Sequence, residues 1–136
     1  MKRKIETMKK FIVAVIALSA MSVQAQEAPK VTSAIIALRG SEFVEAKGFI
    51  DEASTIIEGK NQSEIKEKIL SKFYYNKALI YLKIAASPDA EIQALATDAN
   101  DIAAGSILDL IKFESTSSKP RYTQDAKNEV PNIAYN

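Results

Sequence analysis

Residues 41–59 read SEFVEAKGFIDEASTIIEG. Ala46, Ile50 and Ala53 fall there at i, i+4 and i+7, on one face of a helix. Phe43 and Ile57 extend the stripe at either end, while Glu42, Glu45, Lys47, Asp51 and Glu52 fall mostly on the other faces. Two small residues around one large apolar residue let a neighbouring helix backbone approach closely. The stretch predicts a helix over 41–58, with Ser41 as its cap and Gly59 at its end.

Working outward, Val31, Ala34, Ile35 and Leu38 share one helical face, so a first helix is expected from Pro29 or Lys30 to Arg39. Arg39-Gly40-Ser41 should end it, with Gly40 suited to a left-handed terminal position. On the other side, a turn over 59–63 leads to the longest helix, 62–86, with Asn61 and Glu64 spaced as a capping box. Its stripe runs Leu70, Tyr74, Ala78, Tyr81 and Ala85. Ser87-Pro88-Asp89 reads as a restart, with Ser87 as cap and Pro88 at the first helical position. A short helix over 88–96 and a further one from Thr97 or Asp98 to Phe113 follow, the latter turning Ile102, Ala103, Ile107, Leu110 and Ile111 inward. Residues 114–120 are rich in Ser, Thr, Lys and Pro, a loop composition. Residues 122–128 can open another helix, which Pro131 is expected to interrupt. The fold class expected is all-α.

The N-terminus carries an address. Lys9 and Lys10 precede the apolar run 11–20, and Val23 and Ala25 supply small residues two apart before Gln26. This is the pattern of an export signal peptide over 1–25, cut after Ala25. The apolar run is about half the ~20 residues a spanning helix needs. Periplasm or cell envelope is the expected location, with no membrane span after the cut.

Removing 1–25 takes away five bases and one acid, so 13 basic and 16 acidic residues remain in 111, a net charge of −3. That balance argues against a nucleic-acid partner, which needs a concentrated basic face. With no Cys, packing alone must hold an exported fold. With neither Cys nor His, zinc, haem and copper sites lack their usual ligands, and Ser-His or Cys-His nucleophiles are excluded. No cofactor, no metal and no enzymatic activity are expected.

Two patterns carry a resemblance. Ala46-x3-Ile50-x2-Ala53 is similar to the second-helix signature of tetratricopeptide repeats, and Tyr74-x3-Ala78-x2-Tyr81 to the first-helix signature. The likeness covers roughly residues 31–86. It departs in the first helix, where Lys30 and Ala37 stand at the aromatic positions. It departs again after Ser87, where a triplet is due at Ala90 and Ala104-x3-Leu108-x2-Ile111 fits after an insertion of about one helix. The resemblance implies antiparallel helix hairpins stacked as a short solenoid over 26–113, with 114–136 a loop and the start of a further helix cut short. It implies that Ala46, Ile50, Ala53, Tyr74, Ala78 and Tyr81 pack between helices. It also implies a scaffold that binds a protein or peptide along its first helices, which nominates Thr32, Arg39, Lys72, Tyr75 and Asn76. The competing expectation is a self-contained bundle that homodimerises or takes a small apolar ligand.

Other features have plainer readings. Tyr75 lies one position off the Tyr74–Ala78–Tyr81 stripe and is the ring expected to be exposed. Asp98, Asn100 and Asp101 resemble a calcium loop in residue type but lack its spacing and closing Glu, so helix capping accounts for them. Asn61-Gln62-Ser63 matches a glycosylation acceptor, read here as chance. Glu42, Glu45, Asp51 and Glu52 read as a solvated helix face rather than an acid–base pair.

Overall fold

The computed structural model describes residues 27–136; the expected signal peptide, its cut after Ala25 and Gln26 lie outside the described residues. The chain is all-α, and no strand occurs among the described residues. Among the described residues six α-helices follow one another: α1 (Glu27–Arg39), α2 (Phe43–Glu58), α3 (Glu67–Ala85), α4 (Ala90–Gln93), α5 (Ala99–Ser115) and α6 (Thr123–Tyr135). A 3-10 turn, Gln62–Glu64, precedes α3.

The link between α1 and α2 closes differently from expectation. Ser41, not Gly40, takes the left-handed conformation, with φ 57°. The Glu42 N–H donates to the Ala37 carbonyl (2.9 Å) and the Ser41 N–H to Leu38 (3.1 Å). These two bonds satisfy carbonyls at the end of α1 that the helix leaves unpaired. Ser41 is therefore no cap of α2; Glu42 holds that place and makes no side-chain cap bond. Gly59 ends α2 in a right-handed conformation.

Other boundaries move too. Asn61 makes no side-chain cap bond, and α3 starts at Glu67 because Ile65 and Lys66 are extended. Asp89, not Ser87, caps α4, its carboxylate accepting from the Glu91 N–H at 2.9 Å. Ser87 instead accepts from the Asp89 N–H. Asp98 precedes α5 without a side-chain cap bond. Helix α5 runs past Phe113 to Ser115, so Glu114 is helical and buried rather than part of a loop. Pro131 lies inside α6 and does not interrupt it. Proline removes the N–H that would meet the Lys127 carbonyl. Lys127 and Pro131 are both exposed, so solvent serves as the substitute donor.

Helix α1 packs along α2, and α3 along α5. Helix α3 also touches both α1 and α2, and α6 lies on α5 with lesser contact to α3. One apolar cluster joins Val31, Ala34 and Ala37 of α1, Ala46, Ile50, Ala53 and Ile57 of α2, and Leu70, Phe73, Ile80 and Ile84 of α3. A smaller one joins Ala78 of α3, Ile107 and Leu110 of α5, and Ala126 of α6. Each fully buried Ile or Leu contributes roughly 1.5–3 kcal/mol. The buried triplet of α5 is Ala103–Ile107–Leu110, one residue before the expected Ala104–Leu108–Ile111; Leu108 is 67% exposed. No helix among the described residues is long and apolar enough to cross a membrane.

Candidate functional site

Helices α1 and α3 lie side by side, and their open faces form a groove of about 550 Å³. Thr32, Arg39, Lys72, Tyr75 and Asn76 all line it. Ile35, Ile36, Leu38 and Leu79 supply apolar walls, and Tyr122, just before α6, closes one side. The lining holds two cations, Arg39 and Lys72, and no carboxylate. Ile36 is 63% exposed at its rim.

The five nominated residues are not equally free. The Thr32 hydroxyl donates to the Ala28 carbonyl at 3.0 Å, within its own helix. Asn76 is buried, and its amide donates to the Lys72 carbonyl at 2.8 Å. Tyr75 is half-buried rather than exposed: its ring stacks on Tyr122 at 4.9 Å and an interplanar angle of 10°. Burial pushes the Tyr75 phenol upward, with Asp125 and Glu129 adding to the effect. Tyr75 is therefore a neutral ring in the groove wall, able to donate its hydroxyl proton.

The residues nominated for packing lie mostly inside. Ala46, Ile50, Ala53, Ala78 and Tyr81 are buried. Tyr74 is half-buried, with its ring against Phe73 and Phe113, and its hydroxyl accepts from the Gln62 amide at 3.0 Å. The Tyr81 hydroxyl donates to Asp51 at 2.5 Å. Burial and this bond push the Tyr81 phenol strongly upward. Lys47 meets the other oxygen of Asp51 at 2.6 Å. Asp51 is thus no member of a solvated acidic face; it joins α2 to α3. Nearby, Lys77 of α3 donates to Ser54 of α2 at 2.9 Å.

One buried carboxylate was invisible as a site residue. Glu114 is 1% exposed. It accepts from Ser71 Oγ (2.9 Å), the Arg121 N–H (2.7 Å), the Tyr122 N–H (2.8 Å) and Thr123 Oγ1 (2.9 Å). Burial by itself raises such a group, but these donors outweigh it and hold the carboxyl below its ordinary value. The signal for it is positional: Glu114 continues the Ala103–Ile107–Leu110 stripe by one more turn.

Of Asp98, Asn100 and Asp101, Asn100 reaches α6, and the two aspartates are exposed. Asn100 donates its amide to the Ile133 carbonyl at 2.9 Å, which serves the C-terminal end of α6. Comparison with protein-family models, curated proteins and solved structures yields no significant match.

Proposed function

We propose that this chain is an exported, non-enzymatic scaffold of tetratricopeptide type that holds a protein or peptide partner in the groove between α1 and α3. The observation that carries the reading is the convergence of Thr32, Arg39, Lys72, Tyr75 and Asn76 on one groove. These are the residues that the resemblance to tetratricopeptide repeats nominates on the first helix of each hairpin. The buried stripes Ala46–Ile50–Ala53 and Ala103–Ile107–Leu110 each lie on the second long helix of a pair, which supports a repeated unit, although Leu110 stands where the small residue of the signature is due. Helix α4 and its flanks occupy the place of the insertion after Ser87. The groove chemistry suits a peptide that presents a carboxylate beside apolar side chains, since a cation over an apolar wall selects both.

The test is site-specific photo-crosslinking in the cell envelope. A photoreactive residue at Ile36, on the groove rim, should capture a protein that the same residue at Leu108, equally exposed elsewhere, does not. Combining Arg39→Glu with Lys72→Glu should abolish that adduct. Equal capture from both positions, or none from Ile36, ends the reading. An adduct of twice the chain's own mass would favour a homodimer in its place.

A further inference from the structure

We propose that Glu114 is a positioning residue: it latches α6 against α3 and α5, and so holds Tyr122 as the third wall of the groove. The proposal rests on the reading of that groove as the binding site. The carboxylate joins three elements of the fold, one of them distant in sequence. Ser71 comes from α3, Glu114 itself from α5, and the Arg121 N–H, Tyr122 N–H and Thr123 hydroxyl from the entry to α6. Tyr122, fixed through its own N–H, then stacks on Tyr75.

The charge is met by dipoles alone. No ammonium or guanidinium group pairs with Glu114 among the described residues. Arg121 gives it a backbone N–H while sending its guanidinium to the Lys119 carbonyl. Four converging donors leave the buried carboxylate satisfied, and its position at the start of α6 also suits the positive end of that helix. Removing the charge would weaken all four bonds, and the fully buried Ser71 hydroxyl would have no solvent to turn to.

Apart from the latch, α6 is held by its packing on α5, with Ile133 partly buried against both apolar clusters. Ala126 is its one buried residue. Val130 and Tyr135 are 48% and 90% exposed. The tie at its far end is incomplete: Asn100 donates to the Ile133 carbonyl, but its own buried Oδ1 has no partner. An element with few apolar anchors opens locally at lower free energy than the core. The latch therefore decides whether the groove has two walls or three.

Glu114→Gln keeps the shape but turns an amide N–H2 toward groups that are themselves donors. Amide hydrogen exchange of the protein should then show residues 121–135 losing protection by at least about tenfold. NMR ring signals of Tyr75 should move toward their unstacked positions, while α1 and α2 keep their protection. Unchanged protection over 121–135, or an equal loss in every helix, would overturn the proposal. If the variant does not fold, Thr123→Val removes a single donor and should give the same local pattern at smaller size. Exchange requires no partner, so the latch can be tested even if the groove proves to bind nothing.

Discussion

Across the joint between α2 and α3, apolar side chains form the centre and polar groups the rim. Ile50, Ala53 and Ile57 share a cluster with Leu70, Phe73 and Tyr81, and the Tyr81–Asp51 and Lys77–Ser54 bonds lie at its partly buried edge. Across the joint of α6 with α5 and α3 the order is reversed. A fully buried carboxylate lies at the centre, beside the small cluster of Ala78, Ile107, Leu110 and Ala126. Apolar contact is non-directional and tolerates small shifts. A buried carboxylate needs every donor in place, so its joint holds as a unit or opens as a unit. The two joints give one small fold a firm body and a separable end.

The largest way to break this comparison is at the first joint. Ile50→Ala should cost about 2–5 kcal/mol, seen as a lower denaturant midpoint for the whole protein. If only part of the chain unfolds earlier, the first joint is not the common core. Acid should separate the joints next. Glu114 titrates below its ordinary value of 4.5 in the fold, so its contribution is complete above that pH. It is lost as pH falls through the lower folded value. Exchange protection of α6 should fade in that window before protection of α2 and α3. Arg121 meets Glu114 through its backbone, and Glu67 accepts from Ser117 and Ser118 on the same connecting segment; Glu67→Gln should leave the order unchanged. Glu27 is also held low: burial opposes this, and the bond from Lys60 outweighs it. Its protonation should loosen the first turn of α1.

A smaller effect is expected at the rim of the first joint. Tyr81→Phe removes the hydroxyl bonded to Asp51 and should cost about 1–2 kcal/mol, since a bond to a charged acceptor is lost. A cost as large as that of Ile50→Ala would mean that polar ties dominate there as well. The smallest expected effect is a gain. Ser41→Gly relieves a left-handed residue and should stabilise the protein by about 1 kcal/mol in a thermal or denaturant melt.

The all-α class and the buried residues of α2 were legible because the apolar spacing of α2 admits one stripe. In α3 the stripe found Leu70, Ala78 and Tyr81 but missed Ile80, Leu82 and Ile84, because that helix is covered on more than one side. In α5 the sequence offers two overlapping stripes one residue apart, Ala103–Ile107–Leu110 and Ala104–Leu108–Ile111. Helical spacing turned Ala103, Ile107 and Leu110 inward, whereas the repeat resemblance favoured Ala104, Leu108 and Ile111. The structure buries the one that continues from Ala99 to Glu114. Gly40 looked like the left-handed residue because glycine has no Cβ to clash. The α1 bonding pattern runs one residue further and places Ser41 there. In the groove, the resemblance to tetratricopeptide repeats pointed to five lining residues. It missed Ile35, Leu38 and Leu79 because apolar residues on a helix read first as core. Tyr122 was missed because its place depends on a carboxylate eight residues earlier, and Glu114 because a glutamate beside a Ser-Thr-rich stretch reads as surface.

Helix α3 touches every other helix of the described chain. As the chain lengthens during synthesis, α1 and α2 can meet through local contacts alone, which form quickly. Adding α3 completes only one of its sides, leaving Ser71 and Ala78 without the neighbours that bury them. A nascent chain that pauses near residue 90 therefore carries its longest helix half uncovered, because the side of α3 that meets α5 has no partner yet.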